Sequence, residues 1–227
     1  MLRLEGVSVS IGPVGILRNV DLVADTGQFA GLIGRNGAGK TTLLRTVMGL
    51  LRHHEGSLQI DGVPNLARLP VHGRVEAGIG YMPEDRRLIP GLSTEENILV
   101  PAWSMRAPDW AGRLAGIYRA IPEVQAFRDR KALQLSGGQQ KLVALARAMM
   151  AGRRLLLLDE PFEGVAPVLA RRLAEVIASL RKTGVTVVLA ESSLTHAHGL
   201  LDRVFDIDRG SVTARDSLSP LAGRGSG

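Results

Sequence analysis

At 227 residues, 45% of them hydrophobic and 22% charged, the chain is long enough to bury one substantial core. It has no cysteine and no apolar run approaching the ~18 residues of a membrane-spanning helix, and its start carries no signal-peptide pattern. A cytosolic or membrane-peripheral location is therefore expected, and a disulfide framework or cysteine-based metal site is excluded. The net charge of +6 is scattered, with Arg-Arg pairs at 86–87, 153–154 and 171–172 and aromatics at only 4%, so a basic protein near anionic lipid is expected and no nucleic-acid partner.

Along the chain, Leu2, Leu4, Val7, Val9 and Ile11 alternate on either side of Glu5-Gly6, and Leu58 and Ile60 precede the hairpin signal Asp61-Gly62. An antiparallel β layer is predicted from these segments. Phe29 to Ile33 is a short apolar run suited to a buried parallel strand, and Thr41 to Leu51 has helical character. Between them, Gly34-Arg35-Asn36-Gly37-Ala38-Gly39-Lys40-Thr41 fits the phosphate-loop spacing Gly-x-x-x-x-Gly-Lys-Ser/Thr in full. Backbone N–H groups and a helix N-terminus face phosphates in such a loop. Glycines 34, 37 and 39 allow close wrapping, Lys40 neutralises β/γ-phosphates, and the Thr41 hydroxyl ligates Mg²⁺.

Residues 86–135 break the strand pattern. Trp110, Leu114, Ile117 and Ile121 recur at helical spacing, which predicts a helical insert whose Trp103 and Trp110 serve as core residues or as anchors for a partner. Ser136 is positioned to cap a helix over Gln139–Met150, with Gly137 and Gly138 leaving its first-turn N–H groups accessible to an anion. Leu155 to Leu158 reads as a strand buried on both faces, with Asp159 and Glu160 at its C-terminal end, where open α/β sheets bind ligands. Asp159 is placed to hold Mg²⁺ through water and Glu160 to orient or deprotonate an attacking water. Leu169, Leu173, Val176, Ile177 and Leu180 predict an amphipathic helix, and Val185 to Ala190 another buried strand. His196 and His198, two apart on an expected helix, do not share a face and are read as surface residues. The tail from about Ser217 is expected to be disordered. The chain has no internal repeat, so it is a half-unit.

The pentapeptide Leu135-Ser136-Gly137-Gly138-Gln139, lying between the phosphate loop and Asp159-Glu160, resembles the signature of ATP-binding cassette (ABC) ATPases, and the resemblance spans roughly residues 2–210. Gly80-Tyr81-Met82-Pro83-Glu84-Asp85-Arg86-Arg87 with Leu92-Ser93-Thr94-Glu95-Glu96-Asn97, and Glu160-Pro161-Phe162-Glu163-Gly164-Val165-Ala166-Pro167, are most similar to the F-type ATPase of bacterial branched-chain amino acid importers. The resemblance implies an α/β fold of the P-loop NTPase type: a RecA-like core with an antiparallel β layer over 1–85 and 153–216, an inserted helical subdomain over 86–152, and a tail over 217–227. It further implies ATP and Mg²⁺ as cofactors, permease subunits and a second cassette as partners, a periplasmic solute-binding protein as an indirect partner, and residence on the cytoplasmic face of the inner membrane. Each ATP is expected between residues 34–42 of one copy, Thr42 included, and Ser136, Gly137, Gly138 and Gln139 of the other.

Two positions depart from the family pattern: Ile11 stands where many cassettes stack adenine on an aromatic ring, and Ser192 replaces a switch histidine. Glu84, where most cassettes have glutamine, is a variant shared with the importer branch and is expected near the metal in the coupling loop running to Pro90. The resemblance implies the ATP-hydrolysing motor of an importer for branched-chain amino acids or related small polar solutes, acting by ATP-driven dimer closure. Ile11 and Ser192 keep open a weakly hydrolysing partner in a heterodimeric assembly, and the motor of a lipid or polysaccharide exporter is a further alternative.

Overall fold

The computed structural model describes residues 1–63, 66–105 and 108–215; the expected tail at 217–227 lies outside them. Strand β1 (Leu2–Ile11) pairs antiparallel with β2 (Val14–Ala24) and β4 (Glu55–Ile60), giving a three-stranded layer in the order β2-β1-β4. The change of phase between Leu4 and Val7 has a backbone cause: Gly6 sits at φ 62°, and the pairing register shifts there. That irregularity keeps Leu2, Leu4, Val7 and Val9 all on the buried face. The Asp61-Gly62 turn forms, closed by an Ile60–Val63 bridge, but β4 takes its strand partner from β1 and not from a following hairpin arm.

A six-stranded sheet carries the rest, in the order β5-β6-β7-β3-β8-β9. Its parallel strands are β5 (Ile79–Met82), β6 (Leu155–Asp159), β7 (Thr186–Glu191), β3 (Phe29–Ile33) and β8 (Arg203–Asp208), and β9 (Ser211–Ala214) closes the edge antiparallel. The leucine run of β6 works on both faces. Leu156 and Leu158 enter the hydrophobic cluster shared with the helices α3 (Thr94–Met105), α4 (Trp110–Ala120), α5 (Pro122–Ala126), α6 (Gly137–Ala151) and α7 (Pro167–Ser179). Leu155 and Leu157 enter the cluster shared with the antiparallel layer and α1 (Lys40–Val47). The short α2 (Val71–Glu76) precedes β5.

One expectation is corrected and another is narrowed. Helix α1 stops at Val47 and does not run to Leu51, because Gly49 at φ 79° reverses the chain; Gly49 N–H donates to Thr46 O at 3.0 Å and Leu50 N–H to Arg45 O at 2.8 Å. Buried Arg74 adds donors to the carbonyls of Thr46 and Val47. Neither tryptophan is a core residue: Trp103 is 51% and Trp110 41% exposed, while Leu114, Ile117 and Tyr118 carry the buried face of α4.

Candidate active site

The C-terminal ends of β3, β6 and β7 lie side by side in the sheet, so the turns that follow them converge. The end of β7 joins its two neighbours through the backbone: Gly34 N–H donates to Glu191 O at 3.2 Å and Glu160 N–H to Ala190 O at 3.0 Å. After β3 the chain wraps into the phosphate loop. A Cβ at Gly34 would meet Ile207 O at 2.2 Å, and Gly39 sits at φ 114° with Leu17 close by, so both positions need glycine.

Lys40 opens α1 with its side chain buried. Its Nζ donates to Gly34 O at 2.6 Å and Arg35 O at 3.1 Å and pairs with Glu160 Oε1 at 3.1 Å. Thr41 Oγ1 donates to Asp159 Oδ1 at 3.1 Å, and Tyr81 OH donates to Asp159 Oδ2 at 3.0 Å. Burial raises the Asp159 pKa, opposed by those two donors. Burial also pushes Glu160 upward, but bonds from Glu163, Lys40 and Ser192 outweigh it and hold Glu160 below the ordinary carboxylate value. The neighbouring Glu160 carboxylate, with burial, raises Glu163 to about 7. A deprotonated Glu160 next to a buried ammonium is an acceptor aimed at the mouth of the loop.

Ser192, just past β7, donates to Asn36 Oδ1 at 2.8 Å and lies 3.3 Å from both Glu160 carboxylate oxygens. One cavity is lined by Asn36, Glu160, Phe162, Glu163, Ser192 and His196 among others. His196 is not on a helix: residues 195–200 form turns, which bring its ring to 5.8 Å from Phe162 at the cavity, and both His196 and His198 are exposed. The expected helical separation of the two histidines is thus replaced by a turn that puts one of them beside Glu160's cavity.

The signature segment is built differently. Ser136 caps α6 in a capping box, its Oγ accepting from Gln139 N–H while Gln139 Oε1 accepts from Ser136 N–H. Gly137 and Gly138 line a second cavity with Glu84, Arg86 and Lys141, and Glu163 borders both cavities. Among the described residues no hydrogen bond joins Ser136–Gln139 to the phosphate loop. Glu84 is exposed and makes its influence felt at Asp159 through charge, raising the latter's pKa further. Ile11, half exposed at the tip of β1, pairs with Val14 across the turn and presents only aliphatic surface.

Several contributors had no local motif. Tyr81 reaches Asp159 because β5 pairs with β6. Glu191 accepts from Phe162 N–H at 2.9 Å, and burial raises its carboxyl to about 7. Asn97, fully buried, holds the loop after Glu84 by accepting from Ile89 N–H and donating to the carbonyls of Ile89, Leu92 and Ser93. Arg147 of α6 donates to Arg87 O at 2.7 Å and Arg86 O at 2.5 Å, steadying two residues at positive φ.

Residues 17–163 match the ABC transporter family. The chain is 34% identical to the high-affinity branched-chain amino acid transport ATP-binding protein BraG of Pseudomonas aeruginosa, over 97% of this chain and 94% of that protein. It is 31% identical to the lipopolysaccharide export system ATP-binding protein LptB of Haemophilus influenzae, over 94% and 89% respectively. Its fold superposes with a TM-score of 0.84, at 25% identity and over 97% of this chain and 100% of the other, on a dimeric ATP-binding cassette captured after hydrolysis with ADP and Pi.

Proposed function

The chain belongs to the ABC transporter family as an ATP-binding, ATP-hydrolysing subunit, and we propose that it drives an importer for branched-chain amino acids or related small polar solutes by ATP-dependent closure of two cassettes. The observation that carries the mechanism is the buried Lys40–Glu160 pair at 3.1 Å, set beside the Thr41–Asp159 bond. A phosphate seated in the loop competes with Glu160 for the Lys40 ammonium, and release leaves an ionised carboxylate to orient and deprotonate the attacking water. Glu160 and Ser192 are assigned to hydrolysis, and residues 34–42 to the phosphates, with Ile11 against the base.

Mg²⁺ fits the donor set. Thr41 Oγ1 and Asp159 Oδ1 are hard oxygens already 3.1 Å apart, and no group of three or more His, Asp or Glu able to hold a metal by itself occurs among the described residues. That pattern suits an ion bound by one carboxylate, a hydroxyl and the substrate's own phosphates. Bound there, Mg²⁺ supplies charge neutralisation of the phosphate oxygens, and Glu84 adds a negative charge to its surroundings. Ser136, Gly137, Gly138 and Gln139 are assigned to the γ-phosphate of a second copy's ATP, and the exposed Trp103 and Trp110 to the permease side.

Import is favoured by the 34% identity to BraG over nearly both full lengths, and export is kept as a second reading by the LptB relative at 31%. The test is phosphate release in proteoliposomes holding the chain with its cognate permeases. Stimulation by a solute-binding protein loaded with leucine, isoleucine or valine is expected; stimulation by a lipid-linked glycan and not by amino acid would support the exporter.

A further inference from the structure

Lys141 lies one turn into α6, buried, in a stretch that is otherwise apolar on its sheet-facing side. Its Nζ donates to Glu160 O at 3.0 Å, Pro161 O at 3.1 Å and Glu163 O. A lysine ammonium has three donors and no acceptor, so these carbonyls use its full capacity. The cation is held by backbone dipoles rather than by a carboxylate: no ion pair to Lys141 occurs among the described residues, and Glu191, Glu163 and Glu160 act on it through space.

The loop it grips is the one that aims Glu160. Glu160 sits at φ 47°, a left-handed backbone that a non-glycine residue keeps only when its surroundings fix it. Those surroundings are the Glu160 N–H bond to Ala190 O, the Phe162 N–H bond to Glu191 Oε1, and Lys141. At its other end Lys141 belongs to the capped N-terminus of α6, and it lines one cavity with Gly137, Gly138 and Glu163. One side chain therefore spans from the signature helix to the backbone of the hydrolytic loop in the same chain.

We propose that Lys141 is a positioning residue that couples the two nucleotide sites of the dimer. A shift of the α6 N-terminus, as it closes on the partner's ATP, is passed through Lys141 Nζ to the carbonyls of residues 160–163 and sets the direction of the Glu160 carboxylate in the chain's own site. This rests on the reading that Ser136–Gln139 cap a second copy's nucleotide. It goes beyond that reading in naming the residue that carries the occupancy of one site to the chemistry of the other.

The test compares wild type, Lys141→Met, which keeps length and loses every donor, and Lys141→Arg, which keeps charge and donors. Wild-type hydrolysis is expected to be cooperative in Mg-ATP. Lys141→Met is expected to bind Mg-ATP with Kd within about 2-fold of wild type, to lose roughly 10- to 100-fold in kcat as misplacement of a reacting group does, and to have a Hill coefficient near 1; Lys141→Arg is expected to recover part of both. A merely structural lysine would lower Tm and leave the Hill coefficient of the folded fraction unchanged, and that result, or an unchanged kcat, overturns the proposal. Should Lys141→Met fail to fold, Lys141→Gln, with a single amide to share among three carbonyls, is read by the same two parameters. A Glu160→Gln background separates the two levels: Lys141→Met/Glu160→Gln is expected still to dimerise on Mg-ATP. Glu160→Gln alone staying monomeric would overturn the dimer reading and this inference together, whereas dimerisation with an unchanged Hill coefficient in Lys141→Met overturns this inference only.

Discussion

On the proposed function the phosphate-loop end of the molecule and the signature end both face phosphate, yet they are finished to different degrees. Around the loop, Lys40, Asp159 and Glu160 are buried, with exposures of 4%, 0% and 5%, and each is tied to partners on a different strand end. At the signature, among the described residues, the side chains of Ser136 and Gln139 bond only to each other's backbone N–H, and Gly137 is open to solvent. A helix N-terminus with accessible N–H groups is an anion site awaiting its anion. On the proposed function, one half of the chemistry is assembled within the chain and the other half is a surface.

The largest effect is expected from Glu160→Gln, which keeps the shape and removes the base: turnover falls by about 10²- to 10⁴-fold while Mg-ATP binding persists and a closed dimer accumulates. Quenched-flow phosphate release and size-exclusion in Mg-ATP check this, and brisk turnover would remove Glu160 from the chemistry. Lys40→Ala strikes the same half at the ground state. It leaves Glu160 buried without its cation and the phosphates without theirs, and affinity for ATP by calorimetry is expected to drop by roughly 100-fold, within the 2–5 kcal/mol of breaking a buried charge pair. Unchanged affinity would show that the loop is not the site.

Glu191 tests how far the assembled half depends on a neutral buried carboxyl. Its pKa is raised by burial from 4.5 to about 7 in the folded chain, so folding favours the protonated form. The associated stability is fully present below 4.5 and is lost as pH rises through about 7. Glu191→Gln retains an acceptor for Phe162 N–H and does not titrate. The stability of wild type relative to this variant is therefore expected to decline between pH 4.5 and 7.5, by roughly 3 kcal/mol, in urea titrations. A difference that stays flat with pH would mean that the carboxylate is ionised in place.

The smallest effect concerns Ser192, whose hydroxyl is spent on Asn36 and lies 3.3 Å from Glu160. A histidine at this position adds a longer side chain that is able to carry charge toward a γ-phosphate. Ser192→His is expected to raise kcat by about 10-fold, the equivalent of one charge-assisted contact of roughly 1.4 kcal/mol gained in the transition state. A flat kcat would direct attention to His196, which already borders the same cavity.

What was legible in the sequence was what contiguous residues encode. The phosphate loop, the capping box at Ser136 and Gln139, the leucine strand and the antiparallel layer each carry their geometry in local spacing. The early end of α1 was also encoded, in Gly49, but helical character in the following leucines masked it. The contacts that were not legible act across register. Tyr81 meets Asp159 only because β5 lies beside β6, Ser192 meets Asn36 only because β7 lies beside β3, and Lys141 reaches Glu160 O only because α6 packs against the end of β6. No spacing within one segment contains that information. His196 and His198 are both exposed, as expected, but on a turn and not on a helix, and the turn is what sets His196 beside Phe162.

The most direct test of the account is complementation between the two halves. Lys40→Ala disables the assembled half of every site, and Ser136→Arg, which blocks the α6 N-terminus with bulk and charge, disables the surface half; each alone is expected to hydrolyse ATP at background rate. Mixed in equal amounts, they form heterodimers in which one of the two sites joins an intact phosphate loop to an intact signature, and steady-state phosphate release is expected to recover a substantial fraction of the wild-type rate. A mixture no faster than the mean of the two variants measured separately would contradict the claim that a second copy of this chain completes the site.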